Sequence, residues 1–179
     1  QWAGLNLEEP FAWEGLAEWA NYTISAQLGI PTRDRGWESL GYTDPLASWR
    51  VSSFVSDPNY WYGRSAAFWA AYETAVGGRA NMSAVLSHLD DQPKVRDLDA
   101  QWFQDRGEEV SGANLDELFL SWVYVRETAA PLVAERRAAH ELVRPLRERA
   151  TSMLLTGLPG DLQANLDAWA FGSTEAQAA

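Results

Sequence analysis

Apolar residues recur along most of this chain with a helical period rather than the alternation of a strand. From Phe11 to Leu28, the residues Trp13, Leu16, Ala17, Ala20, Ile24 and Leu28 share one face, and Gly29 supplies a stop. The Gly-, Pro- and Asp-rich stretch 29–45 reads as a loop, followed by a short helix over Pro45–Val55. The turn "SDPNYWYGRS" leads into a strong helix from Trp61 to Val76, whose stripe is Phe68, Trp69, Tyr72, Ala75 and Val76. Gly77-Gly78 ends it.

Further helices are expected at 82–90 and from Asp97 to Val110. Asn114 is placed to cap the next one, with Glu117 three residues on as in a capping box. Its buried stripe is Leu115, Leu118, Phe119, Trp122 and Val123. A long helical stretch from Thr128 to Leu155 contains Pro145, which predicts a kink or a division there. A last helix spans 161–170. No strand pattern or fixed-period repeat stands out. The expected class is all-α, an irregular multi-helix domain over 1–125 with a helical extension over 126–179.

Composition narrows what such a fold can do. The chain has 179 residues, 46% hydrophobic and 22% charged, enough for a real core. Ten tryptophans predict buried rings or a lined cleft. A net charge of −11 argues against a nucleic-acid partner or an anionic-membrane surface, since both need basic patches. The absence of cysteine excludes disulfide and thiolate chemistry but leaves the compartment open. No apolar run is long enough to span a bilayer. No charged region precedes an apolar one at Gln1-Trp2 as in a signal peptide. The opening "QWAGLNLEEPF" and closing "STEAQAA" read as the ends of a fragment cut in mid-domain.

The candidate chemistry begins with carboxylates. Glu14 and Glu18 stand one helical turn apart and group with Asn21, Tyr22 and Ser25, away from the apolar stripe. Periodicity alone reads this as the wet face of a surface helix. The segment "WEGLAEW" (13–19), however, resembles the one carrying the third zinc ligand in gluzincin metallopeptidases, the superfamily of thermolysin-like and aminopeptidase-N-like enzymes. Those enzymes place H-E-x-x-H on one helix and a downstream Glu on the next. The resemblance implies that Glu14 is the third zinc ligand and Glu18 a carboxylate that orients a ligand imidazole. Gly15 and Ala17 would let the two helices approach closely.

In the aminopeptidase-like branch, Gln-Trp and a nearby Gly follow H-E-x-x-H directly. This chain opens "QWAG", so the resemblance implies that it starts just after the second zinc histidine. The interval from Gln1 to Glu14 is shorter than in aminopeptidase-N-like enzymes. Looser relatives vary more here, and Pro10, Trp13 and Glu14 match their pattern.

A second segment, "NYWYGRSAAFWAAYETAVGG" (59–78), is similar to the helix opened by a tyrosine three residues before a glycine. In the family that phenol donates a hydrogen bond to the tetrahedral oxyanion. Tyr60, three before Gly63, takes that role by resemblance, with Tyr62 in reserve. The basic residue normally found before the glycine here follows it, as Arg64. Residues 102–124 resemble the closing helix pair of the same enzymes and carry no catalytic residue.

Together these segments imply a fragment of a zinc-dependent peptidase, with peptide or protein substrates and zinc in the full-length protein. The fragment itself is expected to be inactive and to hold no zinc, one carboxylate being no substitute for a three-ligand site. Two other readings remain open: a non-catalytic helical interaction domain, and a helical carbohydrate-active domain whose acids work beside tryptophan platforms. His88 and His140 lack metal-ligand spacing, and no phosphate loop or nucleophile elbow is present. The sequons at Asn21 and Asn81 lie in or beside helices, and the alternating Glu and Arg of 135–149 read as a solvated helix face.

Overall fold

The computed structural model describes residues 6–7, 9–32, 36, 41, 43–50, 57–89, 97–155 and 158–171. Among these the architecture is all-helical, as expected. A parallel pairing of Asn6–Leu7 (β1) with Asp97–Leu98 (β2) is two residues long and leaves the class unchanged. The chain divides into two compact units, Gln1–Val125 and Arg126–Ala179.

In the first unit, a π-helical turn over Phe11–Gly15 runs into α1, Leu16–Leu28, which stops at Gly29 in the left-handed conformation. A 3-10 turn at Leu46–Ser48 stands where a short helix was expected; positions 51–56 lie outside the described residues. Helix α2, Pro58–Ala75, starts three residues earlier than its apolar stripe suggests. Asp57 caps it by accepting from the Tyr60 amide at 3.3 Å, and Pro58 fills the first helical position, where no amide is needed.

Helix α3, Arg79–Ser87, and α4, Ala100–Ser111, follow. Asp99 caps α4 through the Trp102 amide at 3.0 Å. The carboxylate of Glu9 accepts from the Ala100 amide at 2.7 Å, a negative charge at the positive end of the helix. Helix α5 is Asp116–Trp122. Its start differs from the expected capping box. Asn114 accepts from Asp116 two residues on, a local turn, while the Leu115 amide goes to Glu108 at 2.8 Å and Glu117 accepts from Ser121. The Leu115 amide is satisfied from α4 and the Glu117 carboxylate is engaged by Ser121, so the box does not form.

Helix α2 is the centre of this unit. It packs on the π turn, on α1 and on α3, while α3 packs on α4. Phe68 meets Phe119 edge-on at 5.5 Å, and Trp69 meets Phe103 edge-on at 5.0 Å. The Tyr72 hydroxyl, buried against α4, donates to the Phe103 carbonyl at 2.8 Å. Gly107 permits this approach, because a Cβ there would overlap the Tyr72 hydroxyl and Leu115. Buried Gln104 completes the joint, donating to Asp116 at 2.8 Å and accepting from Tyr124 at 3.0 Å.

The second unit contains α6, Arg126–Ser152, and α7, Gly160–Asp167. Pro131 and Pro145 both sit inside α6, so Pro145 does not divide the helix. The segment is less solvated than its charge pattern suggests. Val133, Arg136, Ala139, Val143, Leu162, Leu166, Trp169 and Phe171 are buried. The Arg136 guanidinium lies 5.3 Å from the centre of the Trp169 ring, a cation–π contact that eases the burial of its charge. Among the described residues, no helix is long and apolar enough to cross a membrane.

Candidate functional site

The sequence places its candidate carboxylates on the first helix, and packing decides which side of that helix they occupy. The buried residues there are Phe11, Ala12, Gly15, Leu16 and Trp19. A Cβ on Gly15 would stand 2.5 Å from both Cβ and Oγ of Ser65 and 3.3 Å from the Trp69 ring, so only glycine fits. The indole of Trp69 donates to the Phe11 carbonyl at 2.9 Å, tying the π turn to α2.

This orientation corrects the expected stripe. Trp13, Ala17, Ile24 and Leu28, predicted to be core, are exposed, about half a turn round the helix from the buried side. Ser25, expected on the wet face with the carboxylates, is buried. Glu14 and Glu18 are half-buried and flank the packed side, with Glu14 beside the exposed Trp13. The carboxylates therefore sit at the boundary between a packed face and an exposed apolar row. The reason is the fit against α2. Aromatic bulk at Phe11 and Trp19 and the missing side chain at Gly15 allow closer contact with α2 than the Ala17–Ile24 side does.

Tyr60 lies in the first turn of α2, on an element packed directly against the π turn that bears Glu14. Its ring is buried, and its hydroxyl accepts from the Asp44 amide at 2.9 Å. Burial pushes the phenol up to about 12, against the lowering influence of Arg64, so at neutral pH it keeps its proton. Arg64, one turn along, is also buried and donates from Nε to the Asp44 carbonyl at 3.0 Å. Its guanidinium lies 4.9 Å from the centre of the Trp122 ring, and burial lowers its proton affinity. Tyr62 is half-buried and meets Trp49 edge-on at 5.4 Å.

Asp44 and Arg64 are the residues that sequence reasoning missed. Arg64 entered it only as a displaced basic residue, although its spacing of four from Tyr60 on a helix was a readable signal. Nothing local marks the Asp44 backbone, because its role depends on a loop returning to α2.

Zinc can be tested against the donors present. Glu14 supplies one carboxylate, a suitable oxygen ligand. Among the described residues, no three His, Cys, Asp or Glu side chains are grouped so as to hold a metal ion. What is present thus fits one corner of a zinc site and no more. The opening "QWAG", which bears on the remaining ligands, lies outside the described residues. Compared with protein-family models, curated proteins and solved structures, the chain has no match.

Proposed function

We propose that the first unit is the C-terminal helical part of a zinc-dependent peptidase of the gluzincin type, in which Glu14 is one metal ligand. The observation that carries this reading is the exposed apolar side of the first helix, at Ile24 and Leu28, on the element that Glu14 opens. Ile24 keeps 54% and Leu28 66% of its surface exposed. An apolar helix side of this kind calls for a partner segment. A helix bearing two imidazoles, laid on this row, would complete the ligand set next to Glu14. The bound metal would supply an activated water for peptide hydrolysis. Tyr60 takes the oxyanion-donor role in this reading by resemblance.

The tryptophan count, in contrast, no longer favours a carbohydrate-active domain. Trp19, Trp49, Trp61, Trp69, Trp102 and Trp169 are buried, so these rings serve as core rather than stacking platforms. A helical interaction module remains the second reading, because the same apolar row would receive a protein partner without any metal.

A longer version of the chain, extended upstream through the segment before Gln1, separates the two. The peptidase reading expects an H-E-x-x-H motif there, one zinc per chain, and hydrolysis of a peptide library. Glu14→Ala should reduce zinc affinity by about 100-fold or more while the helical circular dichroism is kept. An upstream segment without that motif, or full zinc content in Glu14→Ala, overturns it.

A further inference from the structure

Helix α6 has two distinct sides. The buried one is formed by Val133, Arg136, Ala139 and Val143. On the other, Glu135, Ala138, Leu142, Leu146 and Arg149 are all exposed. Leu142 keeps 48% and Leu146 37% of its surface. All of these positions fall within about 40° of Leu142 around the helix, in a strip about 21 Å long.

The strip is symmetric about its centre. Counting outward from Leu142 in either direction, its positions are separated by four and then three residues. Turned end for end, it sets Ala138 opposite Leu146, small against large, and Glu135 opposite Arg149, negative against positive. Among the described residues, neither Glu135 nor Arg149 has a side-chain partner. A surface that complements its own reverse is what a two-fold interface requires.

We propose that this face of α6 binds α6 of a second copy of the chain, antiparallel, across a two-fold axis at Leu142. The leucines meet at the axis, each Leu146 enters the space over the partner's Ala138, and two Glu135–Arg149 pairs close the ends. Parallel pairing would set Glu135 against Glu135 and Arg149 against Arg149, like charges in register. An anionic membrane is a poor fit. The strip carries one acid, Glu135, and one base, Arg149, and so has no net charge, where interfacial helices are rich in Lys and Arg. One seam of this length is at the small end of specific interfaces, so a dissociation constant on the order of 10 µM is expected.

Sedimentation of the 179-residue chain from about 1 to about 300 µM should give a monomer–dimer equilibrium. Leu142→Glu should remain monomeric throughout, with unchanged helical circular dichroism. Glu135→Arg should weaken the dimer about tenfold, and adding Arg149→Glu should restore it. The chain contains no cysteine, so Leu142→Cys introduces its single thiol. Air oxidation should link two copies through Leu142→Cys, because the thiols face each other at the axis. Leu146→Cys should not link, because its two thiols lie about 12 Å apart along the seam. A monomer at every concentration, equal linking through both positions, or a double charge reversal that fails to restore the dimer overturns the proposal. Binding to anionic vesicles without self-association overturns it as well.

Discussion

In α2, nine of eighteen residues are buried; in α6, four of twenty-seven are. The buried residues of α2 reach round its circumference and are mostly aromatic or small. They meet the π turn, α1 and α3, so nearly every side of the helix carries packing energy. Helix α6 instead carries most of its charge on exposed positions. Arg144 is shared between Glu141 at 3.0 Å and Glu148 at 3.5 Å, with all three side chains more than half exposed. The comparison teaches that two long helices in one chain can be held by different terms. Tertiary burial holds α2, while a single buried side and surface ion pairs hold α6 against the cost of two interior prolines.

The strongest way to break this contrast is truncation at its most packed point. Trp69→Ala removes a fully buried ring and its hydrogen bond to Phe11, and should cost about 3–5 kcal/mol in urea denaturation. Leu142→Ala on α6 should change stability by less than about 0.5 kcal/mol at concentrations where the chain is monomeric. Equal losses at the two positions would remove the distinction.

Filling the close approaches comes next. Gly107→Ala drives a methyl into Tyr72 and Leu115, and Gly15→Ala drives one into Ser65; each should cost about 1–3 kcal/mol by the same measurement. Ser65→Gly should relieve part of the Gly15→Ala penalty, since the clash is with its side chain.

A third test uses pH. Tyr60 has its folded-state value raised from 10.0 to about 12, so its contribution to stability is complete below pH 10 and is lost as the pH climbs towards 12. Denaturation midpoints should therefore fall across that window, and Tyr60→Phe should flatten the fall. The smallest effect is expected in α6. Arg144→Ala should cost about 0.3–0.5 kcal/mol, and the difference should fade with added salt.

Much of the fold was legible in the residues themselves. Apolar spacing located the helices to within a few positions, Gly29 stopped α1 as expected, and Leu115, Phe119 and Val123 of α5 are buried as their spacing required. The orientation of α1 was not legible. It offers apolar residues on both sides, and the choice between them depends on Ser65 and Trp69, some fifty residues further along the chain. The capping of α5 failed for a similar reason, because Glu108 reaches the Leu115 amide from a neighbouring helix. Of the candidate site, Glu14 and Tyr60 were named from a family resemblance. Their half-buried and buried settings, and the part played by Asp44 and Arg64, emerged only from packing.

The sequence by itself determined an all-helical chain, because a period near 3.6 can be satisfied by no other backbone. It also determined the contrast between an aromatic helix and a charge-laced one, which is a matter of composition along each segment. Tertiary structure alone decided which side of α1 is packed and therefore where Glu14 points. That choice rests on closeness of fit between surfaces distant in sequence, and a periodic pattern holds no information about which of two apolar sides will find the better partner.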